Sequence, residues 1–126
     1  MLVNSSLATD NQHVWLDNFN DLTKPEWTRE ESLALNMEMP PNTGDRMAHN
    51  FTSWFHAPAT TKYRFYMACD DHCRFSIDTK PGSISNTTKI LDVHGWTNWR
   101  EFWRPFDGVT RISEWIELTA GEHYFV

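Results

Sequence analysis

A chain of 126 residues has the length of one ordinary domain, and with 40% hydrophobic and 22% charged residues it should fold rather than stay disordered. A formal charge of -6, with Arg100 and Arg104 as the one local basic pair, argues against a nucleic-acid partner. No run of about 18 apolar residues is present, which excludes a membrane-spanning helix in this sequence.

Residues 1–43 are weakly patterned and read as an N-terminal arm carrying the first strands of a module. Met1-Leu2-Val3-Asn4-Ser5-Ser6 lacks the apolar centre of a signal peptide. Trp15, Leu16, Phe19 and Leu22 could pack as a short helix or an irregular arm. Thr23-Lys24-Pro25-Glu26 has the form of a helical start, with Thr23 as N-cap and Pro25 in the first turn. Pro40-Pro41-Asn42-Thr43-Gly44 is a turn or loop cluster.

From residue 50 the pattern becomes β. Phe51, Ser53, Phe55 and Ala57 alternate with Thr52, Trp54 and His56, and Pro58-Ala59-Thr60-Thr61 turns the chain. Tyr63, Phe65 and Met67 form a second alternation, and Cys73, Phe75 and Ile77 a third. Pro81-Gly82-Ser83 makes a turn, Lys89 to Val93 a short strand, and Ile112 to Leu118 a further one with Ile116 and Leu118 inward. Ala120-Gly121 turns into His123-Tyr124-Phe125-Val126. Period-two runs separated by turn residues every 8–12 positions predict an all-β fold, a β-sandwich of antiparallel strands or a barrel. Seven tryptophans and eight phenylalanines, each able to bury roughly 150–250 Å², supply the core. The chain stops at Val126 inside a strand-like segment, so the expectation is a module of a longer protein.

Cys69-Asp70-Asp71-His72-Cys73 lies between two alternating runs and reads as the tip of a β-hairpin. Two carboxylates roughly 5 Å apart repel by about 3 kcal/mol at an effective dielectric near 20. Solvent, an arginine or a hard cation such as calcium must offset that. Successive side chains of an extended strand point to opposite faces, so the backbone must turn sharply if Asp70 and Asp71 are to share one ion. The alternative is a solvated turn whose aspartates accept from local amides.

Cys69 and Cys73 could form a disulfide, a metal pair or two free thiols. A zinc site of Cys69, His72 and Cys73 lacks the C-x-x-C spacing and second pair that zinc sites normally show, so the disulfide is favoured in an oxidising compartment. Three glycosylation sequons, at Asn4, Asn50 and Asn86, slightly exceed the one or two that chance would give. With the cysteines, they tilt the compartment towards the cell exterior.

His94-Gly95-Trp96-Thr97-Asn98-Trp99-Arg100-Glu101-Phe102-Trp103 is a dense aromatic loop. As a ligand-facing loop it would offer Trp96 or Trp99 for stacking on a sugar and Asn98 for an oxygen ligand. As a structural loop it would pack its rings over one end of the fold, with Arg100 and Arg104 stacking on them or pairing with Glu101 or Asp107. Enzyme signatures are missing. The histidines show no H-x-x-x-H spacing, Glu114 and Glu117 fall on opposite strand faces, and no nucleophile elbow, P-loop or dinucleotide fingerprint occurs.

The order of these blocks resembles the PA-fourteen domain of the anthrax protective antigen type. Gly44-Asp45-Arg46 leads to Trp54-Phe55-His56-Ala57-Pro58, Tyr63-Arg64-Phe65-Tyr66 leads to Asp70-Asp71, and the segment Ile112 to Tyr124 carries an I-x-L-x-A-G-x-x-Y pattern. The cysteine-flanked acidic pair looks closest to the fibrocystin-like branch. The resemblance covers residues 44–126 and implies a β-sandwich core, truncated at its C-terminal end, from a family of adhesins, surface receptors, toxins and glycosidase accessory modules. In the flocculin branch the aspartate pair, joined by a cis peptide, holds calcium, and calcium holds a sugar. Carried to this sequence, that assigns calcium to Asp70 and Asp71. A further asparagine ligand of the flocculin type has no aligned counterpart here. The functional expectation is an extracellular, calcium-dependent lectin-like module whose partners are glycans. The alternatives are a structural module packed against neighbouring extracellular domains, or a glycosidase accessory module.

Overall fold

The computed structural model describes residues 2–7, 28–41, 47–70, 72–104 and 108–126. These residues are all-β, with nine strands in antiparallel ladders and no helix among them. The strands are β1 (Leu2–Leu7), β2 (Thr28–Leu33), β3 (Met47–Thr52), β4 (Trp54–His56), β5 (Thr61–Tyr63), β6 (His72–Ile77), β7 (Thr88–His94), β8 (Ile116–Leu118) and β9 (His123–Phe125). Two compact units divide the chain, residues 1–53 and 54–126.

In the first unit β1 is the central strand of a three-stranded sheet ordered β2-β1-β3. Asn4 lies opposite Glu31 on one side and Asn50 on the other. The expected packing of Trp15, Leu16, Phe19 and Leu22, the helical start at Thr23, and the end of the loop from Asn42 to Gly44 lie outside the described residues.

The alternation from Phe51 to Ala57 predicts one strand, but Ser53 separates β3 from β4. β3 pairs with β1, whereas β4 pairs with β9, placing Trp54 opposite Phe125 and His56 opposite His123. β5 pairs with β8, and β6 pairs with β7. A period of two specifies faces and not partners, so one run can serve two sheets.

The same reasoning corrects two hairpins. The runs flanking Cys69–Cys73 do not pair with each other among the described residues. The run before the tip joins β8 and its approach, through a Tyr66–Ile112 bridge, while the run after it joins β7. Likewise β8 and β9, which the turn at Ala120-Gly121 would join as a hairpin, pair with β5 and β4. In both cases the two consecutive strands belong to different ladders.

The two corners, 57–60 and 119–122, are bonded together. The Gly121 N–H donates to the Ala57 carbonyl at 2.9 Å, and the Ala57 N–H donates to the Glu122 carbonyl at 3.1 Å. Gly121 sits at φ +79°, in left-handed space that a side chain would strain. The Tyr124 hydroxyl accepts from the Thr119 N–H at 2.9 Å, and the Ala120 N–H donates to Thr60 Oγ1 at 2.9 Å.

Beneath these corners lies the core of Ala57, Ile77, Leu118 and Tyr124, with Phe55, Tyr63, Phe65, Ile90, Ile116 and Val126 against it. Phe55 meets both Tyr63 and Phe65 edge-on with centroids 5.5 Å apart, the arrangement that aromatic quadrupoles favour. Leu118 is inward as expected. The connection from β6 to β7 is organised by Asp78, whose buried carboxylate accepts from Ser83 Oγ, the Lys80 N–H and the Asn86 N–H. These bonds, the Ser83 hydroxyl foremost, hold its pKa below the ordinary carboxylate value.

Candidate functional site

Cys69 and Cys73 form a disulfide, with Cα atoms 6.0 Å apart. The covalent bond closes the acidic turn onto the start of β6. Asp70, inside this turn, is exposed. Asp71, the second expected ligand, lies outside the described residues. His72 is directed elsewhere. Its Nε2 lies 2.7 Å from Asp92 Oδ1, so it takes no part in a cysteine-based metal set.

One side chain joins the turn to the aromatic loop. The Cys69 N–H donates to Thr97 Oγ1 at 2.7 Å, Thr97 Oγ1 donates to the Cys69 carbonyl at 2.9 Å, and the Thr97 N–H donates to the same carbonyl at 2.8 Å. Thr97 is only 3% exposed. It is therefore a buried polar clasp whose hydrogen-bonding capacity is met within the site. Trp96 and Asn98 flank it in sequence, as Asp70 flanks Cys69, so the clasp brings the loop and the acidic turn side by side.

The rest of the loop is shaped by a tight turn. Glu101 Oε2 accepts from the Asn98 N–H at 3.1 Å and from Asn98 Nδ2 at 3.2 Å. The nitrogen end of the Asn98 amide is thereby engaged, which leaves Oδ1 as the end directed away from Glu101. Arg100 adopts φ +56°, in the left-handed region, and its guanidinium lies 4.4 Å from the Trp99 ring centroid. A non-glycine residue costs about 1–2 kcal/mol there. Cation–π stacking of Arg100 on Trp99, foreseen in the sequence, offsets part of that cost. Arg104 approaches Glu101 at 3.9 Å and the buried Arg111 approaches it at 3.8 Å. Trp96 and Trp99 remain 54% and 55% exposed, so neither ring is consumed by the core.

Comparison with family models, curated proteins and solved structures returns no match to this chain.

A further network lies behind the turn, on β6 and β7. Asp92 accepts from His72 on Oδ1 and from Lys89 on Oδ2, with Arg74 Nε 3.6 Å from Oδ2. Burial pushes the carboxyl pKa up, but the Lys89 and His72 hydrogen bonds and the Arg74 and Lys89 charges outweigh it and bring it down to about 2. The His94 ring lies against His72 at a tilt of 36°, with ring centroids 4.2 Å apart. Sequence reasoning placed His72 in the acidic tip, Asp92 on a strand and His94 in the aromatic loop, without combining them. Their one signal is parity: His72 and Arg74 share a face of β6, Asp92 and His94 a face of β7, and the register sets them opposite each other.

Of the three sequons, Asn86 is exposed beside the Asp78 turn and Asn50 is half-buried in β3. Asn4 belongs to the central strand β1.

Proposed function

We propose that this chain is an extracellular, calcium-dependent glycan-binding module of PA-fourteen type, with the disulfide-closed acidic turn as its ion site and the 94–103 loop as its sugar platform. The observation that carries this reading is the Thr97 clasp, which holds the loop against the turn. Calcium takes six to eight oxygen ligands at about 2.3–2.6 Å. The donor chemistry fits. Asp70 is an exposed carboxylate, Asp71 follows it, Asn98 Oδ1 points away from Glu101, and backbone carbonyls and glycan hydroxyls can complete the shell. Calcium would supply a charged centre on which vicinal hydroxyls chelate. Trp96 and Trp99 would supply apolar faces for the sugar ring.

The compartment follows from chemistry. A closed Cys69–Cys73 disulfide persists in oxidising surroundings, and the three sequons suit a secreted or cell-surface chain. The reading is of a binder on the PA-fourteen pattern of a β-sandwich.

A second reading, a structural module packed against neighbouring extracellular domains, is favoured by Phe102 and Trp103. These are 43% and 68% exposed beside Trp96 and Trp99, giving a run of large rings on one loop. Glycan-array binding separates the two. The lectin reading expects signal that a calcium chelator removes and that Trp99→Ala weakens. Binding indifferent to chelator, or none in excess calcium, would favour the structural module.

A further inference from the structure

We propose that His72, Asp92 and His94 form a three-ligand site for a divalent transition metal, with zinc as the ion the donor set suits best. This site is separate in residues and chemistry from the acidic turn and does not depend on it.

The three side chains project from one face of the β6–β7 ladder. His72 is directly opposite His94, and Arg74 opposite Asp92. Both histidines aim Nε2 at the same carboxylate oxygen, at 2.7 Å for His72 and 3.5 Å for His94. All three donor atoms lie within 4.8 Å of one another. In a tetrahedral site with bonds of about 2.0–2.2 Å, any two ligand atoms stand about 3.3 Å apart. The observed spacings bracket that value, and His94, whose side chain is 72% exposed, has room to close the difference.

The carboxylate divides its work. Oδ2 takes Lys89 and Arg74, which orient the group from behind. Oδ1 is left to the two imidazoles. A single histidine suffices for an ion pair, so the second, its ring tilted against the first and its Nε2 directed at the same oxygen, is surplus to that pairing. An ion gives it one. In this exchange the metal takes the Nε2 lone pair of His72: the proton facing Asp92 moves to Nδ1 of a neutral ring, or leaves an imidazolium to solvent, so that the ring binds as neutral imidazole. Val93 and Leu91, both buried, anchor β7 and keep the face fixed. Two nitrogens and one oxygen suit zinc, whereas calcium and magnesium favour oxygen-only shells. Three protein ligands leave a fourth position for water or a ligand.

The rival on this chain is His56 with His123, stacked across β4 and β9 with centroids 4.7 Å apart but without a carboxylate in the set. The test is isothermal titration of the tag-free, disulfide-intact chain with zinc chloride in excess calcium. One zinc per chain is expected. His94→Ala, at an exposed position that leaves the fold intact, should weaken binding at least about tenfold, and His72→Gln should do the same. His123→Ala should leave the isotherm unchanged. The proposal is overturned if wild-type protein gives no isotherm above the blank, if calcium competes zinc away, if His94→Ala binds like wild type, or if His123→Ala is the variant that loses binding.

Discussion

Thr97→Val tests whether the acidic turn and the aromatic loop are one unit. Valine keeps the branched shape of threonine, so packing is retained and the hydroxyl alone is lost. In the native chain that hydroxyl accepts the Cys69 N–H at 2.7 Å and donates to the Cys69 carbonyl at 2.9 Å. The carbonyl keeps the Thr97 N–H at 2.8 Å, but the Cys69 N–H loses its acceptor. An orphaned buried donor costs about 1–3 kcal/mol and a lost neutral hydrogen bond about 1 kcal/mol. Because Cys69 is half-buried and water can partly replace the hydroxyl, the expected loss is about 1.5–2.5 kcal/mol. In thermal unfolding that is a fall of roughly 5–10 °C. Urea denaturation of wild type, Thr97→Val and Thr97→Ser gives the free energies, with serine as the control that keeps the oxygen. The valine variant should be the weaker by at least about 1 kcal/mol, with faster amide exchange at Cys69. Valine and serine variants of equal stability, or a valine variant within about 0.5 kcal/mol of wild type, would refute the clasp.

Three other outcomes follow from the geometry. Asp92 is held at about 2 against an ordinary 3.8, so its contribution is present above about pH 3.8 and disappears as pH falls through 2. The carboxylate is covered by its cationic neighbours and not by depth, which discounts the contribution to about 1–2 kcal/mol. Asp92→Asn should be less stable than wild type by that amount at pH 7, and the gap should narrow on acidification below pH 3.8. A gap that is constant from pH 7 to 2 contradicts the ion-pair account. Replacing Cys69 and Cys73 together by serine should cost about 2 kcal/mol by urea denaturation, the chain-entropy value for so short a loop. A cost near zero would mean that the bond does not constrain the unfolded chain. Tyr124→Phe should cost about 1–2 kcal/mol, since it strands the Thr119 N–H at the corner. An unchanged melting temperature would show that this corner bond is dispensable.

Strand content was readable where apolar and polar residues alternate, as in β6, and in the short run from Lys89 to Val93 within β7, and all-β was the correct class. Pairing was not. β4, β5, β8 and β9 are three residues each, too short for composition to name a partner, and the tip with its flanking runs imitates a hairpin. What separates those flanks is long-range bonding that no local pattern announces. Ser113 donates to the Phe65 carbonyl on one side, and β7 takes up β6 on the other. The disulfide was readable from spacing and compartment. The exposure of Trp96 and Trp99 follows from Thr97, between them in sequence, burying its hydroxyl on Cys69. A threonine among four tryptophan and phenylalanine rings gives no sign of that. The His72–Asp92–His94 cluster spans about twenty residues of sequence and becomes visible only once the β6–β7 register is known.

The central claim is that the acidic turn holds calcium, and the most direct measurement is a calcium titration followed by melting temperature. The disulfide-intact chain, stripped of metal and then titrated, should gain thermal stability by the linkage relation, saturating at one ion, and Asp71→Asn should erase the gain. A wild-type melting curve that does not move in millimolar calcium would contradict the account.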